Sequence, residues 1–283
     1  MSGGEEDASA TSGESGTPVA SGPRLTVLLV NQSSSMDAPF GEYGISMAEG
    51  VADALNLYLQ RVAERRRGTP GSEFESGNFA AAIIGYGFEP GAADKIFFMD
   101  ASGVWADEKR THSDRSTPSS DDTLSSFSTW IDPAARSADA PLCRALAAAS
   151  SVIEPWVSKH KLAPPPRVVD ITDGGMTDGD PSPPAERLCR LSTYNGVTSL
   201  WTCHISGDAT REPVLFPNDS RLVAPALLPL FRSTSALPQD GLSNLLMEFP
   251  EVSKISGARA SVFYADLRTL VRFLAFVTRV PMP

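Results

Sequence analysis

The chain has 283 residues, 41% of them hydrophobic, enough apolar material for one large domain or two small ones. Its 34 Asp and Glu against 24 Lys and Arg leave a net charge of −10, which opposes nonspecific nucleic-acid binding, a process driven by Lys and Arg displacing counterions. No stretch approaches the roughly 18 apolar residues of a membrane span, and the N-terminus has neither the basic nor the apolar region of a secretory signal.

Residues 1–22 are acidic, rich in Ser and Gly and almost free of large apolar side chains, which predicts a disordered tail. Residues 23–283 are expected to form a single domain. Leu25–Val30 is a continuous apolar run, the signature of a strand buried on both faces in a parallel sheet. It ends in the polar loop Asn31-Gln32-Ser33-Ser34-Ser35-Met36, whose oxygen-bearing side chains suit a hard cation, a phosphate or a carboxylate. In open α/β sheets ligands bind at the carboxyl ends of strands, so this loop is the first candidate site.

From Gly44 the apolar residues recur at helical spacing, predicting a helix that Gly68-Thr69-Pro70-Gly71 stops near Arg67. Arg61, Arg65, Arg66 and Arg67 suit the C-terminal end of its dipole. Phe79–Gly87 predicts a second buried strand, and Lys95–Met99 a short one on an edge. Residues 100–135, poor in apolar periodicity, read as an irregular insertion, functional or disordered, with Ile131 among the residues that fold back on the core. A helix opens at Pro141 and runs to about Lys161.

Arg167–Thr172 is the next buried strand, and it too ends in a polar loop, Asp173 to Asp180. A helix over about 182–194, a strand over Val197–Ile205, a helix over about Arg221–Phe231 and a last helix over Ala260–Val280 complete the pattern. Strands alternating with helices predict an α/β fold: a doubly wound, mainly parallel sheet of about six strands with helices on both faces. Cys143, Cys189 and Cys203 are odd in number, widely spaced and lack metal-ligand spacing, so they read as reduced thiols of a cytoplasmic protein. His112, His160 and His204 form no recognisable group; His204, beside Cys203, reads as a core histidine and Asp170 as a paired structural acid. Asp178 and Asp180 fit a Gly-rich turn leading into the helix at Pro181.

A buried strand, a D-x-S-x-S-like loop and a later strand ending in Thr172-Asp173-Gly174 together resemble the von Willebrand factor A family, in a bacterial cytoplasmic branch. The likeness covers roughly residues 24–280, extending through Cys203-His204-Ile205-Ser206, Leu230–Pro238 and Tyr264-Ala265-Asp266-Leu267. In that family such loops form a metal-ion-dependent adhesion site whose cation takes a carboxylate from a partner protein. The resemblance implies Mg²⁺ (or Mn²⁺ or Ca²⁺) on Asn31, Ser33, Ser35 and Asp173, with Gln32, Ser34, Met36, Ala140 and Gly174 facing the partner. Asn31 stands where the family has aspartate, and Ala140 where it has threonine.

The implied function is a noncatalytic protein-interaction module of a stress-response or defence system. Implied partners are a MoxR-type AAA ATPase, a phosphatase or a kinase of the same gene cluster, with neither nucleic acid nor membrane. The alternatives are a metal-dependent hydrolase using the Asp173 loop and a scaffold that binds through the 100–135 insertion. No G-x-S-x-G elbow, P-loop or G-x-G-x-x-G follows the first strand, so catalysis has no positive signal.

Overall fold

The computed structural model describes residues 22–67, 79–91, 93–99, 131–238, 242–253 and 255–278. The predicted tail, residues 1–21 of it, and most of the 100–135 insertion lie outside the described residues. Nine strands and six helices are described: β1 (Arg24–Asn31), α1 (Met47–Arg67), β2 (Phe79–Tyr86), β3 (Ala93–Met99), α2 (Leu142–Lys159), β4 (Arg167–Thr172), α3 (Ser182–Cys189), β5 (Ser192–Thr193), β6 (Gly196–Val197), β7 (Ser199–Ile205), β8 (Val214–Leu215), α4 (Leu228–Ser233), α5 (Leu242–Glu248), β9 (Ser261–Ala265) and α6 (Leu267–Thr278).

Seven of the strands form one sheet in the order β3-β2-β1-β4-β7-β9-β8; β5 and β6 make a separate hairpin. From β2 to β9 all pairings are parallel, and only the outermost strands, β3 and β8, run antiparallel to their neighbours. The fold is therefore doubly wound α/β with a mainly parallel sheet. Alternate residues of the central strands feed two cores. Leu28, Val30, Val169 and Ile171 pack on the α1 and α6 side, with Leu55, Leu59, Phe273 and Leu274. Leu25, Val27, Leu29 and Val168 pack on the other side with Leu146, Ile153, Leu188 and Leu230 from α2, α3 and α4. Burial on both faces explains why these strands read as unbroken apolar runs rather than as alternating ones.

The chain leaves β1 for β2 on one side and later returns as β4 on the other. The connections at the carboxyl ends of β1 and β4 thus diverge, and a crevice opens between them, the place where ligands bind in such sheets. That switch point lies between Asn31 and Asp173.

Three predicted helices need correction. Residues 261–265 of the expected last helix are β9, wholly buried between β7 and β8. A five-residue strand buried all round, four of its residues apolar, carries no periodicity to separate strand from helix. The helix proper starts at Leu267, where Asp266 accepts the Thr269 N–H at 2.8 Å. The helix expected over 182–194 ends at Cys189, and the chain turns back through Tyr194-Asn195 into Gly196, at φ +138°, as the β5–β6 hairpin. Over 221–231, Pro225 and Pro229 split the expected helix into two 3₁₀ turns followed by the short α4. The edge position of β3 matches the expectation, and Ile131 does fold back, its backbone pairing in both directions with the Asn56 side chain of α1 at 2.9 Å.

Candidate functional site

Asn31 closes β1 with its side chain buried. Its Oδ1 accepts the Ser33 backbone N–H at 2.9 Å. A backbone N–H only donates, so the carbonyl oxygen must face Ser33 and the NH₂ must face β4. There Asn31 Nδ2 donates to Asp173 Oδ1 at 2.8 Å, with Thr172 Oγ1 further off at 3.4 Å. The two strand ends are joined directly, amide to carboxylate. Ser33 Oγ and Ser35 Oγ lie 2.9 Å apart, and Thr172 Oγ1 accepts the Gly174 N–H at 3.0 Å.

The first loop is tied down on its other side. Gln32 N–H donates to Tyr86 O at 2.7 Å, Ser34 N–H to Ser137 O at 2.6 Å and Arg136 N–H to Gln32 O at 3.0 Å. Gly87, at φ +84°, admits this strap because a Cβ there would stand 2.3 Å from Asp139 O. Ala140 is held by Thr177 in both directions: its N–H donates to Thr177 Oγ1 at 3.0 Å, and its carbonyl accepts the Thr177 N–H at 3.1 Å.

The N-terminus of α2 has no cap of its own, since Pro141 precedes it. Asp178 supplies one, accepting the Cys143 N–H at 3.0 Å and the Arg144 N–H at 2.9 Å. Asp178 thus belongs to α2, not to the helix at Pro181; Asp180 does serve that helix, accepting the Ser182 N–H at 2.9 Å. Asp178→Ala should cost about 1 kcal/mol and fray the first turn of α2. Faster hydrogen exchange confined to residues 142–145 would show it; uniform loss of protection would not.

Of the residues expected to face a partner, Gln32, Met36 and Ala140 are buried and must be withdrawn. The Gln32 amide lies over Gly85, whose missing side chain makes room for it. Met36 belongs to the α1 core and Ala140 to the α2 core. Ser34 and Ser35 are exposed, and Asp173 and Gly174 are half-buried.

The residues present do not fit a divalent cation. Mg²⁺ asks for oxygen ligands and gains most from carboxylates. Here Ser33, Ser35 and a single carboxylate are available, while Asn31 turns its NH₂ donor, not an oxygen, toward that carboxylate. Among the described residues no group of three or more His, Cys, Asp or Glu converges as a metal site.

Two buried titratable groups lie beside the pair. Asp170 accepts the Tyr86 hydroxyl proton at 2.8 Å through Oδ1, so it is paired as expected. Its Oδ2 is buried without a partner, and burial pushes the carboxyl up to about 7. His204 Nδ1 accepts the Tyr264 N–H at 3.0 Å, which places the ring proton on Nε2. Burial lowers its pKa to about 4, so the imidazole is neutral. Its ring lies under Gly174, where a Cβ would meet it at 3.1 Å.

Sequence reasoning missed Thr177 and assigned Asp178 to the wrong helix. A signal existed: a helix that opens at Pro141 after Ala140, with no Ser, Thr or Asp at its N-cap, must be capped from elsewhere.

No protein-family model matches the chain, and no curated protein matches it either. Among solved structures it is similar to an aerotolerance-related membrane protein from Bacteroides fragilis, at 13% identity and a TM-score of 0.32, over 64% of this chain and 66% of that one. It is also similar to the PilB minor pilin of Streptococcus sanguinis, at 14% identity and a TM-score of 0.31, over 58% and 32% of the two chains. For the pilus adhesin SpaC of Lactobacillus rhamnosus GG the identity is 10% and the TM-score 0.49, over 92% and 30%. The chain spans less than two thirds of each of these, and likenesses this loose carry no activity or partner across.

Proposed function

We propose that this chain is a noncatalytic interaction module of the von Willebrand A type, whose strand-end loops form the docking face for a partner protein. The observation that carries this reading is the Asn31–Asp173 pair at the switch point of the sheet. It fixes two loops rigidly while leaving the Ser34 and Ser35 side chains exposed. A preorganised polar face suits recognition, because little conformational entropy is lost on binding.

The noncatalytic reading is supported by two observations among the described residues. Among the described residues the histidine at this end of the sheet is His204, and its Nδ1 is already occupied in a buried, neutral ring. The serines bond to each other rather than to a base. The Mg²⁺ that the family resemblance implies has no part in this reading, since an amide donor and not a second carboxylate faces Asp173. The partners implied are proteins encoded beside this chain, of the AAA ATPase, phosphatase or kinase kind, in the cytoplasm. Free Cys143, Cys189 and Cys203 suit that compartment, and among the described residues no helix is long and apolar enough to cross a membrane.

The test is pairwise titration of purified neighbours against the chain and its Asp173→Arg variant, in EDTA. Binding by wild type that falls at least tenfold in the variant supports the reading. Partner binding indifferent to Asp173→Arg and to Ser34→Arg would overturn it. So would phosphate- or peptide-ester turnover by wild type that Asp173→Ala abolishes.

A further inference from the structure

A bound divalent ion would make the strand-end face attractive to a carboxylate. With a neutral amide in its place, Asp173 contributes its negative charge uncompensated, and the electrostatics of the face reverse.

Beside the loop, at the carboxyl ends of β7 and β9, lies a cleft of about 430 Å³. Glu42, Asp208, Glu212 and Asp266 line it, together with the rings of Tyr43 and Tyr264. One cation shares the lining, Arg211, so the cleft carries three more negative than positive charges. The Arg211 guanidinium lies over the Tyr264 ring, 3.6 Å from its centroid. That ring is a fixed platform. Its hydroxyl accepts the Ala224 N–H at 2.8 Å, and the Tyr264 N–H is held by His204. Asp266 is fixed as well, by Thr269 N–H at 2.8 Å and by the Tyr43 hydroxyl at 3.3 Å. Beneath the surface His204 links the two places, bonding the Tyr264 N–H and packing against the Gly174 turn.

A cleft walled by carboxylates and floored by an aromatic face is chemistry for a guanidinium, and the chain's own exposed Arg211 already occupies that seat. We propose that the strand-end face takes a basic segment of its partner, one arginine of which enters this cleft and displaces Arg211 from Tyr264. The proposal rests on the docking reading above and reverses the sign of the partner group that the family resemblance implies. Net charge of −10 on the whole chain favours the same partner.

The test uses fluorescein-labelled tetra-arginine and tetra-glutamate peptides in anisotropy titrations with the full chain at about 50 mM salt, near which Debye screening is still weak. Three variants are compared: Arg211→Ala, the double variant Asp208→Asn with Glu212→Gln, and a control, Glu154→Gln with Glu186→Gln, which removes two exposed charges elsewhere. Tetra-arginine should bind wild type and tetra-glutamate should not. Arg211→Ala should tighten the complex at least threefold, and the cleft double variant should weaken it at least fivefold, with the control unchanged. No tetra-arginine binding, or equal weakening in cleft and control variants, overturns the proposal. A partner that responds to Asp173→Arg but not to the cleft variants removes the cleft while leaving the docking face standing. Response to neither removes both.

Discussion

Asp170→Asn should stabilise the protein above pH 7 by about 2 kcal/mol, although it removes a hydrogen-bonded buried carboxyl. The Asp170 carboxyl rises from 3.8 to about 7 because it is buried in β4. Between those values the unfolded chain has lost the proton and the folded one still holds it, so stability falls as pH rises. At about 1.4 kcal/mol per pH unit the full loss is on the order of 4 kcal/mol by pH 8. Asparagine keeps an oxygen for the Tyr86 hydroxyl and carries no charge. Its NH₂ takes the place of the unpartnered Oδ2, which costs about 1 to 3 kcal/mol and leaves the smaller net gain.

His204 acts in the opposite direction. Its pKa falls from 6.5 to about 4, so between those values the unfolded chain binds the extra proton and stability grows with pH. From pH 4 to 6.5 the two groups offset each other, and wild type should unfold at nearly constant urea concentration across that range. Asp170→Asn unmasks the histidine, and its midpoint should climb steadily from pH 4 to 6.5 and then level off. Urea midpoints at half-unit steps decide the matter. A variant destabilised equally at every pH would show that Asp170 is charged in the fold and stabilised there by its neighbours.

Much of this arrangement was legible in the sequence. The central strands announce themselves because burial on both faces forces unbroken runs such as Leu25–Val30 and Arg167–Thr172. Asn31 and Asp173 could be singled out because each follows such a run in a polar loop. What could not be read was which way the Asn31 amide points. That is set by the Ser33 N–H two residues on, and it decides whether the pair can share a cation. Exposure was equally hidden: Gln32 and Met36 sit in a polar loop yet face inward, one over Gly85 and the other into the α1 core. The cleft was out of reach because Tyr43, Asp208, Arg211 and Tyr264 meet only through the pairing of β7 with β9, and β9 reads as helix.

The second large effect concerns Asn31→Asp. The substitution keeps an oxygen for the Ser33 N–H but replaces the N–H donor at 2.8 Å from Asp173 with a second carboxylate. A hydrogen bond to a charged group is lost, at about 1.5 to 3 kcal/mol, and two like charges face each other in a half-buried crevice. In EDTA the variant should therefore melt about 4 to 8 °C below wild type. Two carboxylates and the Ser33–Ser35 hydroxyl pair are a donor set that Mg²⁺ accepts, so the ion should bind the variant's folded state only. At a tenfold excess over its Kd the ion returns about 1.4 kcal/mol, comparable to the lower end of the hydrogen-bond loss. Wild type should melt at the same temperature in EDTA and in millimolar Mg²⁺; a rise with Mg²⁺ would show that Asn31 yields to a cation and would remove the basis of the charge reversal. The magnesium-loaded variant should also bind tetra-arginine less tightly than wild type does, because the ion's two positive charges outweigh the one negative charge that the substitution introduces. If the peptide is indifferent to the ion, the cleft acts independently of the Asn31–Asp173 pair.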